Sequence, residues 1–303
     1  MGSYKYMETI LIPAFILLLS LNYVMPCNLT VNFYDKTCPK ALASIKRSVW
    51  AAVASNPRNA ALLVRLHFHD CFVQGCDASL LLEGAGSEKA SPANDGVLGY
   101  EVIDAVKAAV ERVCPGVVSC ADILAVAARD ATVAGSIMDS KTWKKRSEAI
   151  TDLPRGNMNL NQLIDNFRRK GLNAREMVAL SGSHTIGQAR CVRFRGRIYN
   201  SSLNIDAAFN SSLTESCPPT APNGDSNLQP LDLVTPNRFD NNYFKNLVSN
   251  KGLLISDQVL FNRDSTDSIV TEYVNNPSTF DSDFAAAMIK MGEMMSLLVL
   301  MEL

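Results

Sequence analysis

The segment Cys120-Ala-Asp-Ile-Leu-Ala-Val-Ala-Ala-Arg-Asp-Ala131 limits what this chain can fold into more than any other stretch. It is nearly all apolar, and a helix that is apolar all round has to be wrapped by other elements. The expectation is a central buried helix inside a shell of further helices. The shell is legible as helical patterns over Pro39–Ser55, Pro57–Phe72, Tyr100–Val113, Asn161–Lys170, Ala174–Ser181, Phe239–Ser249 and Phe280–Met291. Long runs with period-two alternation are absent from the sequence, as are internal repeats and low-complexity linkers. The expected fold class is all-α.

Of the 303 residues, 47% are hydrophobic and 19% charged, so a sizeable core can be buried. A net charge of −1 and a pI of about 6.3 leave no basic footprint, and no nucleic-acid partner is expected. Residues 1–27 read as a signal peptide: Lys5 gives a positive start, and Ile10–Leu21 form an apolar core broken by Pro13. That core is too short for a stable membrane anchor and no other apolar run is long enough to span a membrane, so no membrane association is expected. Met25-Pro-Cys27 is a poor cleavage signal. Residues 28–303 form the remaining domain, expected to be secreted and monomeric. Eight cysteines in such a chain suggest disulfides, although spacing alone leaves their pairing open. Asn28-Leu-Thr, Asn200-Ser-Ser and Asn210-Ser-Ser are glycosylation sequons, the last two in a Ser/Asn-rich stretch expected to be an exposed loop.

The chain has three histidines, and two lie in segments that carry chemistry. In Arg65-Leu-His-Phe-His69-Asp70-Cys71-Phe72, Arg65 and His69 share one helix face. That face offers a fixed cation beside a titratable base, the pair a peroxide needs for moving its proton and stabilising charge as the O–O bond breaks. His67 points to the opposite face and takes a structural role. Taken singly, a helical histidine is more often a satisfied core or surface residue. His184, in Ala179-Leu-Ser-Gly-Ser-His184-Thr185-Ile-Gly187, ends an apolar helical run, where a neutral imidazole could hold a haem iron. After His69 comes Asp70, with Asp77 and Ser79 at odd offsets from it, Gly75 allowing a sharp turn and Cys71 and Cys76 flanking that turn. Such a loop suits Ca²⁺, and equally an ordinary polar turn.

Both histidine segments resemble the distal and proximal motifs of the secretory plant haem peroxidases (class III), and the similarity runs from about Leu29 to Gly292. The resemblance implies the haem peroxidase fold, with a distal layer roughly before Asp130 and a proximal layer after it enclosing haem b. It implies that His69 moves the peroxide proton, Arg65 stabilises charge, and Phe68 shields the haem from large reactants. Asn94 would accept the His69 proton. His184 would bind the iron, with Asp257 taking its N–H; Asp257 also reads as a helix N-cap before Val259-Leu-Phe261. Two Ca²⁺ ions are implied. The distal one would use Asp70, the Val73 and Gly75 carbonyls, Asp77 and Ser79, with Glu88 acting through water. The proximal one would use Thr185, Asp232, Thr235, the Arg238 carbonyl and Asp240. Implied disulfides are Cys38–Cys114, Cys71–Cys76 and Cys191–Cys217. Cys27 would leave with the signal, and Cys120 would be unpaired, since no cysteine follows Cys217. Losing a family bridge at Cys120 predicts a fold weaker by roughly 2 to 5 kcal/mol. Its place at the start of an apolar helix predicts a buried, slowly reacting thiol. The reaction implied is reduction of hydrogen peroxide to water with one-electron oxidation of small phenolic donors, and the resemblance implies the cell wall or apoplast as the protein's destination.

The sequence departs from the family pattern twice. Between Asp130 and Leu153 the usual Gly-Gly-Pro-x-Trp and Gly-Arg-Arg-Asp motifs are replaced by a shorter Ala134-Gly-Ser-Ile-Met-Asp-Ser-Lys-Thr-Trp-Lys-Lys-Arg146, without the proline of the donor entrance. After Met294 the tail Met295–Leu303 is apolar and lacks a cysteine. These departures keep a second reading in view, that of a non-catalytic or unstable secreted relative.

Overall fold

The computed structural model describes residues 32–132, 146–200 and 204–292. The first half is built from α1 (Ala41–Ser55), α2 (Arg58–Phe72), α3 (Tyr100–Glu111) and α4 (Cys120–Thr132). As its apolarity dictates, α4 is buried without a break from Ala121 to Ala128, packed on α1 and α2. Asp122 can lie within that run because the Tyr34 and Ser119 hydroxyls donate to its carboxylate. Against α4, α1 turns Ala41, Ile45 and Val49, and α3 turns Ile103, Val106 and Val110, closing one core with Leu63 and Leu66 of α2.

The second half runs through α5 (Arg146–Asp152), α6 (Leu160–Arg168), α7 (Ala174–Ser181), a 3₁₀ turn at Gly182–Thr185, β1 (Gln188–Arg190), α8 (Cys191–Ile198) and α9 (Ala207–Ser216). It continues with β2 (Leu228–Pro230), α10 (Asn242–Val248), α11 (Ile255–Gln258), α12 (Asp267–Asn275) and α13 (Pro277–Gly292). The two strands form a small antiparallel ribbon with Ala189 opposite Gln229. Capping boxes open α6 (Asn159 with Gln162) and α7 (Asn173 with Glu176), satisfying backbone N–H groups that a helix start leaves orphaned. Packed along α7, α13 is held by Arg175, which donates to Asp283 at 2.7 Å and to Glu272 of α12 at 2.8 Å.

The halves meet beside the turn that carries His184. Ala60 and Val64 of α2 pack on Ile186, directly after the 3₁₀ turn. Gly187 permits this: its φ is +103°, and a Cβ there would lie 3.0 Å from the Cβ of Ala61. Beneath the turn, a Cβ on Gly182 would come within 2.4 Å of the Phe280 ring and 2.8 Å of the Phe244 ring. The turn that carries His184 therefore rests directly on an aromatic floor.

The observed helices differ from the sequence pattern mainly at their ends. α10 begins at Asn242 rather than Phe239, because the Asp240 carboxylate accepts the Asn242 N–H at 2.8 Å and ends the preceding loop there. α13 begins earlier, with Pro277 as its first residue. The expected loop around Asn210 is instead helix α9. Asp206 caps it by accepting the Phe209 N–H at 2.8 Å, and Phe209 and Leu213 bury one face, which outweighs the Ser/Asn content. Cys38–Cys114, Cys71–Cys76 and Cys191–Cys217 are bonded. Cys120 is free, but it is exposed rather than buried. It is the first residue of α4, so it stands at the rim while burial starts at Ala121. The signal-peptide residues 1–27, the Asn28 sequon, Ser201 and Ser202, residues 134–145 and the tail 295–303 lie outside the described residues. Among the described residues no helix is long and apolar enough to cross a membrane.

An exposed thiol is open to reagents. In protein lacking residues 1–27, a thiol reagent is expected to titrate one cysteine per chain without denaturant. A count of zero would contradict the exposed, unpaired state of Cys120.

Candidate active site

His69 lies in the last turn of α2, one helical turn after Arg65. Its Nδ1 meets Asn94 Oδ1 at 2.7 Å, and the Asn94 amide is oriented by its own Nδ2, which donates to the Glu88 carbonyl at 2.8 Å. Asn94 Oδ1 can only accept, so the His69 proton is on Nδ1. Nε2 is then the lone pair, and Arg65 Nε donates to it at 3.2 Å. Arg65 is anchored from the other end by NH1 donating to the Gly96 carbonyl at 3.0 Å. Burial, and then the Arg65 charge, push His69 down to about 3, so it is a neutral base at ordinary pH. Arg65 is accessible to solvent yet crowded by protein. That crowding, with Arg193 and Arg190 nearby, lowers it to about 10, which leaves it a cation. Phe68 stacks on Phe72 with ring centroids 4.7 Å apart and stands edge-on to His69. His67 is buried on the other side of α2, 3.5 Å from Cys71 Sγ in the disulfide. His67, Cys71 and Cys76 cluster tightly, but the two sulfurs are bonded to each other.

His184 is set differently. Its Nδ1 donates to Asp257 Oδ1 at 2.7 Å; the imidazole is 35% exposed while the carboxylate is 2% exposed. The open ring is thus backed by a buried anion, and Nε2 keeps its lone pair. Asp257 is the third residue of α11, and its Oδ2 accepts the Leu254 N–H at 2.9 Å. It therefore braces the helix start and partners the histidine at once, but from inside α11: the N-cap is Leu254 and the helix ends at Gln258, so Asp257 does not cap a helix over Val259-Leu-Phe261 as its sequence position suggested.

Beside each histidine stands an acidic cluster. Asp70 is buried and accepts from the Ala78 N–H with Oδ2, while its Oδ1 and Ser79 Oγ have no hydrogen-bond partner. Burial, then Asp77 and also Glu88, push the Asp70 carboxyl well up. Val73 ends α2, and the turn that follows passes through Gln74, Gly75 and Ala78 with positive φ. At the second cluster, Thr185 Oγ1 is 3.1 Å from Asp232 Oδ2 and 3.4 Å from Asp240 Oδ1, and Thr235 Oγ1 is 3.2 and 2.9 Å from the same two carboxylates. Each hydroxyl has one proton and cannot satisfy both anions. Asp232 also accepts from Asn246 Nδ2 and the Val234 and Thr235 N–H groups, and Asp240 from the Asn242 N–H and side-chain amide; these donors are neutral, and the Arg238 guanidinium stays 3.8 Å from Asp240. Hard oxygens around unbalanced buried negative charge fit a divalent cation at both places.

Several site neighbours were not foreseen from the sequence. Gly96, Arg190 and Arg193 crowd or anchor Arg65, and Arg190 ties the two halves by donating to Asp95 at 2.7 Å. Tyr243 stands edge-on to His184 and donates to Asp257. None has a local signature, since each matters only through a partner distant in sequence.

A mostly helical shell with an arginine-paired base on one histidine and a carboxylate-backed imidazole on the other is the arrangement expected of a peroxidase. Residues 45–276 match the family model described as Peroxidase. A basic peroxidase of Zinnia elegans is 69% identical over 298 residues, covering 94% of this chain and 91% of its own length. A lignin-forming anionic peroxidase of Nicotiana sylvestris is 57% identical over 284 residues, covering 89% and 87%. The chain belongs to the peroxidase family, within the secretory plant (class III) group, and is an enzyme that reduces hydrogen peroxide. Nothing in these relatives favours a non-catalytic reading.

Burial pushes His67 down to about 4 from its ordinary 6.5. Between those values the unfolded chain binds a proton that the folded chain refuses, so stability is full above pH 6.5 and is lost as pH falls toward 4. Replacing His67→Gln is expected to reduce the stability lost between pH 7 and pH 4.5 by about 2 kcal/mol. Denaturant titrations of both proteins at the two pH values measure this, and equal losses would show that His67 is not buried neutral.

Proposed function

We propose that this chain is a secreted, monomeric haem b peroxidase that reduces hydrogen peroxide to water and oxidises small phenolic donors one electron at a time. The observation that carries it is the hydrogen-bond chain Glu88–Asn94–His69–Arg65, which leaves a neutral lone pair beside a fixed cation. Haem bound between the two histidines supplies the iron at which peroxide is cleaved and the oxidising equivalents passed to donors. His69 Nε2 takes a proton from one peroxide oxygen and delivers it to the other, which departs as water. Arg65 stabilises the charge that develops during cleavage. Asn94 keeps the Nδ1 proton in place, which holds Nε2 basic. Phe68 narrows the distal side against large reactants. His184 Nε2 would hold the iron, and Asp257 would strengthen its donation through the Nδ1–H bond.

Two Ca²⁺ ions complete the reading. The distal one is assigned to Asp70, Asp77, Ser79 and the Val73 and Gly75 carbonyls, with Glu88 through water. The proximal one is assigned to Thr185, Thr235, Asp232, Asp240 and the Arg238 carbonyl. Support comes from the partnerless Asp70 Oδ1 and Ser79 Oγ and from the shared hydroxyls of the second cluster. Three disulfides support passage through an oxidising secretory compartment.

His69→Ala is expected to keep haem and to lose about 10² to 10⁴-fold in the rate of peroxide cleavage. His67→Ala should leave the rate per haem-loaded molecule near the parent's. Rapid mixing with peroxide measures both, and the reverse ranking of the two variants would overturn the assignment. Chelation is expected to lower the melting midpoint, since a ligand at a hundredfold excess over its Kd stabilises by about 2.7 kcal/mol per site. Elemental analysis should find two calcium ions per folded, haem-loaded chain; finding none would reject both sites.

A further inference from the structure

The oxygen of Asp257 that accepts the His184 proton accepts a second one. Oδ1 receives His184 Nδ1 at 2.7 Å and the Tyr243 hydroxyl at 3.1 Å, while Oδ2 is held by the Leu254 N–H at 2.9 Å. Tyr243 is 1% exposed, and its ring stands edge-on to His184 at 6.1 Å and to Phe244 at 5.1 Å. Burial, and then the Asp257 charge, push the phenol well above its ordinary range, so the hydroxyl is a permanent donor. Arg197, the nearby buried cation, spends its donors on the Gly252 and Asn204 carbonyls instead. Two donors thus divide the charge of one carboxylate oxygen, and one of them is the proposed iron ligand.

We propose that Tyr243 is a positioning residue that sets how strongly Asp257 polarises His184, and so how much electron density His184 gives to iron. The proposal rests on the reading of His184 as the iron's ligand. An acceptor that also receives the Tyr243 proton pulls less on the His184 N–H. The imidazole then has less anionic character and stabilises oxidised iron less. The tyrosine acts against Asp257, holding the iron's reduction potential above the value that the carboxylate alone would impose. The Leu254 N–H keeps the carboxylate in place whether or not the phenol is bonded, so the hydroxyl can change charge distribution without moving the anion.

Tyr243→Phe in the haem-loaded full chain keeps the ring and removes only the donor. The equilibrium constant for one-electron reduction of the ferric iron is expected to fall roughly tenfold, about 59 mV for a one-electron couple. The iron–imidazole stretching band of the ferrous protein, read by resonance Raman, should move to higher frequency. In an Asp257→Asn background the same change should do nothing to either readout, because the contested anion is gone. Tyr273→Phe, which loses a hydroxyl bond to Asp283 at 2.7 Å, is expected to affect melting but neither the band nor the potential. A fluorinated tyrosine at position 243 is a stronger donor and should shift both readouts the opposite way, which covers the case in which Tyr243→Phe does not fold. If the band and potential stay put in Tyr243→Phe and in the fluorinated protein, the proposal is wrong while His184 remains the ligand. If His184→Ala retains the parent's iron–imidazole band, His184 is not the ligand and both readings fall.

Discussion

Each of the two site histidines, His69 and His184, has its Nδ1 proton fixed by an acceptor from a different element, and the rest of the site depends on that constraint. A histidine with a free choice of tautomer would present a lone pair only part of the time. His69 meets Asn94 Oδ1 and His184 meets Asp257 Oδ1, both at 2.7 Å. The two acceptors differ in charge, and that difference divides the labour. A neutral amide orients His69 without adding an anion, so Nε2 remains a modest base that can release the proton it takes. A buried carboxylate pushes electron density through His184, which suits a ligand that must support oxidised iron.

The two acceptors are themselves held by the secondary structure. Asn94 ends a short 3₁₀ turn at Pro92–Asn94, and its amide is locked by the Glu88 carbonyl. Asp257 is locked because capping α11 fixes Oδ2. In neither case does the catalytic geometry depend on a long flexible side chain. Small residues set the His184 turn in place: Gly187 lets α2 approach the strand after the turn, and Gly182 seats the turn on Phe244 and Phe280.

The sequence made the helical class, the buried α4 and the one-face pairing of Arg65 with His69 legible, since each rests on local periodicity. The roles of Asn94 and Asp257 and the two oxygen clusters were reached through family resemblance, because their partners lie far apart in the chain. Helix α9 was hidden: Ser and Asn have poor helix propensity, and only the Asp206 cap with buried Phe209 and Leu213 reverses that preference. Cys120 was misjudged because helix periodicity says which face is apolar but not where along the helix burial begins. Tyr243 carried no signal at all; an aromatic in an apolar helix reads as core, which it also is.

The acidic clusters bear on why the histidines sit where they do. Asp70 directly follows His69, and Thr185 directly follows His184. Burying Asp70 beside Asp77 and Glu88, and Asp232 with Asp240, is costly unless a cation balances the charge. The Glu88 backbone also holds Asn94, so any movement of the first cluster reaches His69 through one hydrogen bond. In the second cluster the Thr185 hydroxyl lies within hydrogen-bond reach of both acids, so a movement there reaches His184 through one peptide unit. Each cluster therefore concentrates electrostatic cost within one residue of a working imidazole. An ion that relieves this cost would stabilise the fold and the two tautomers together.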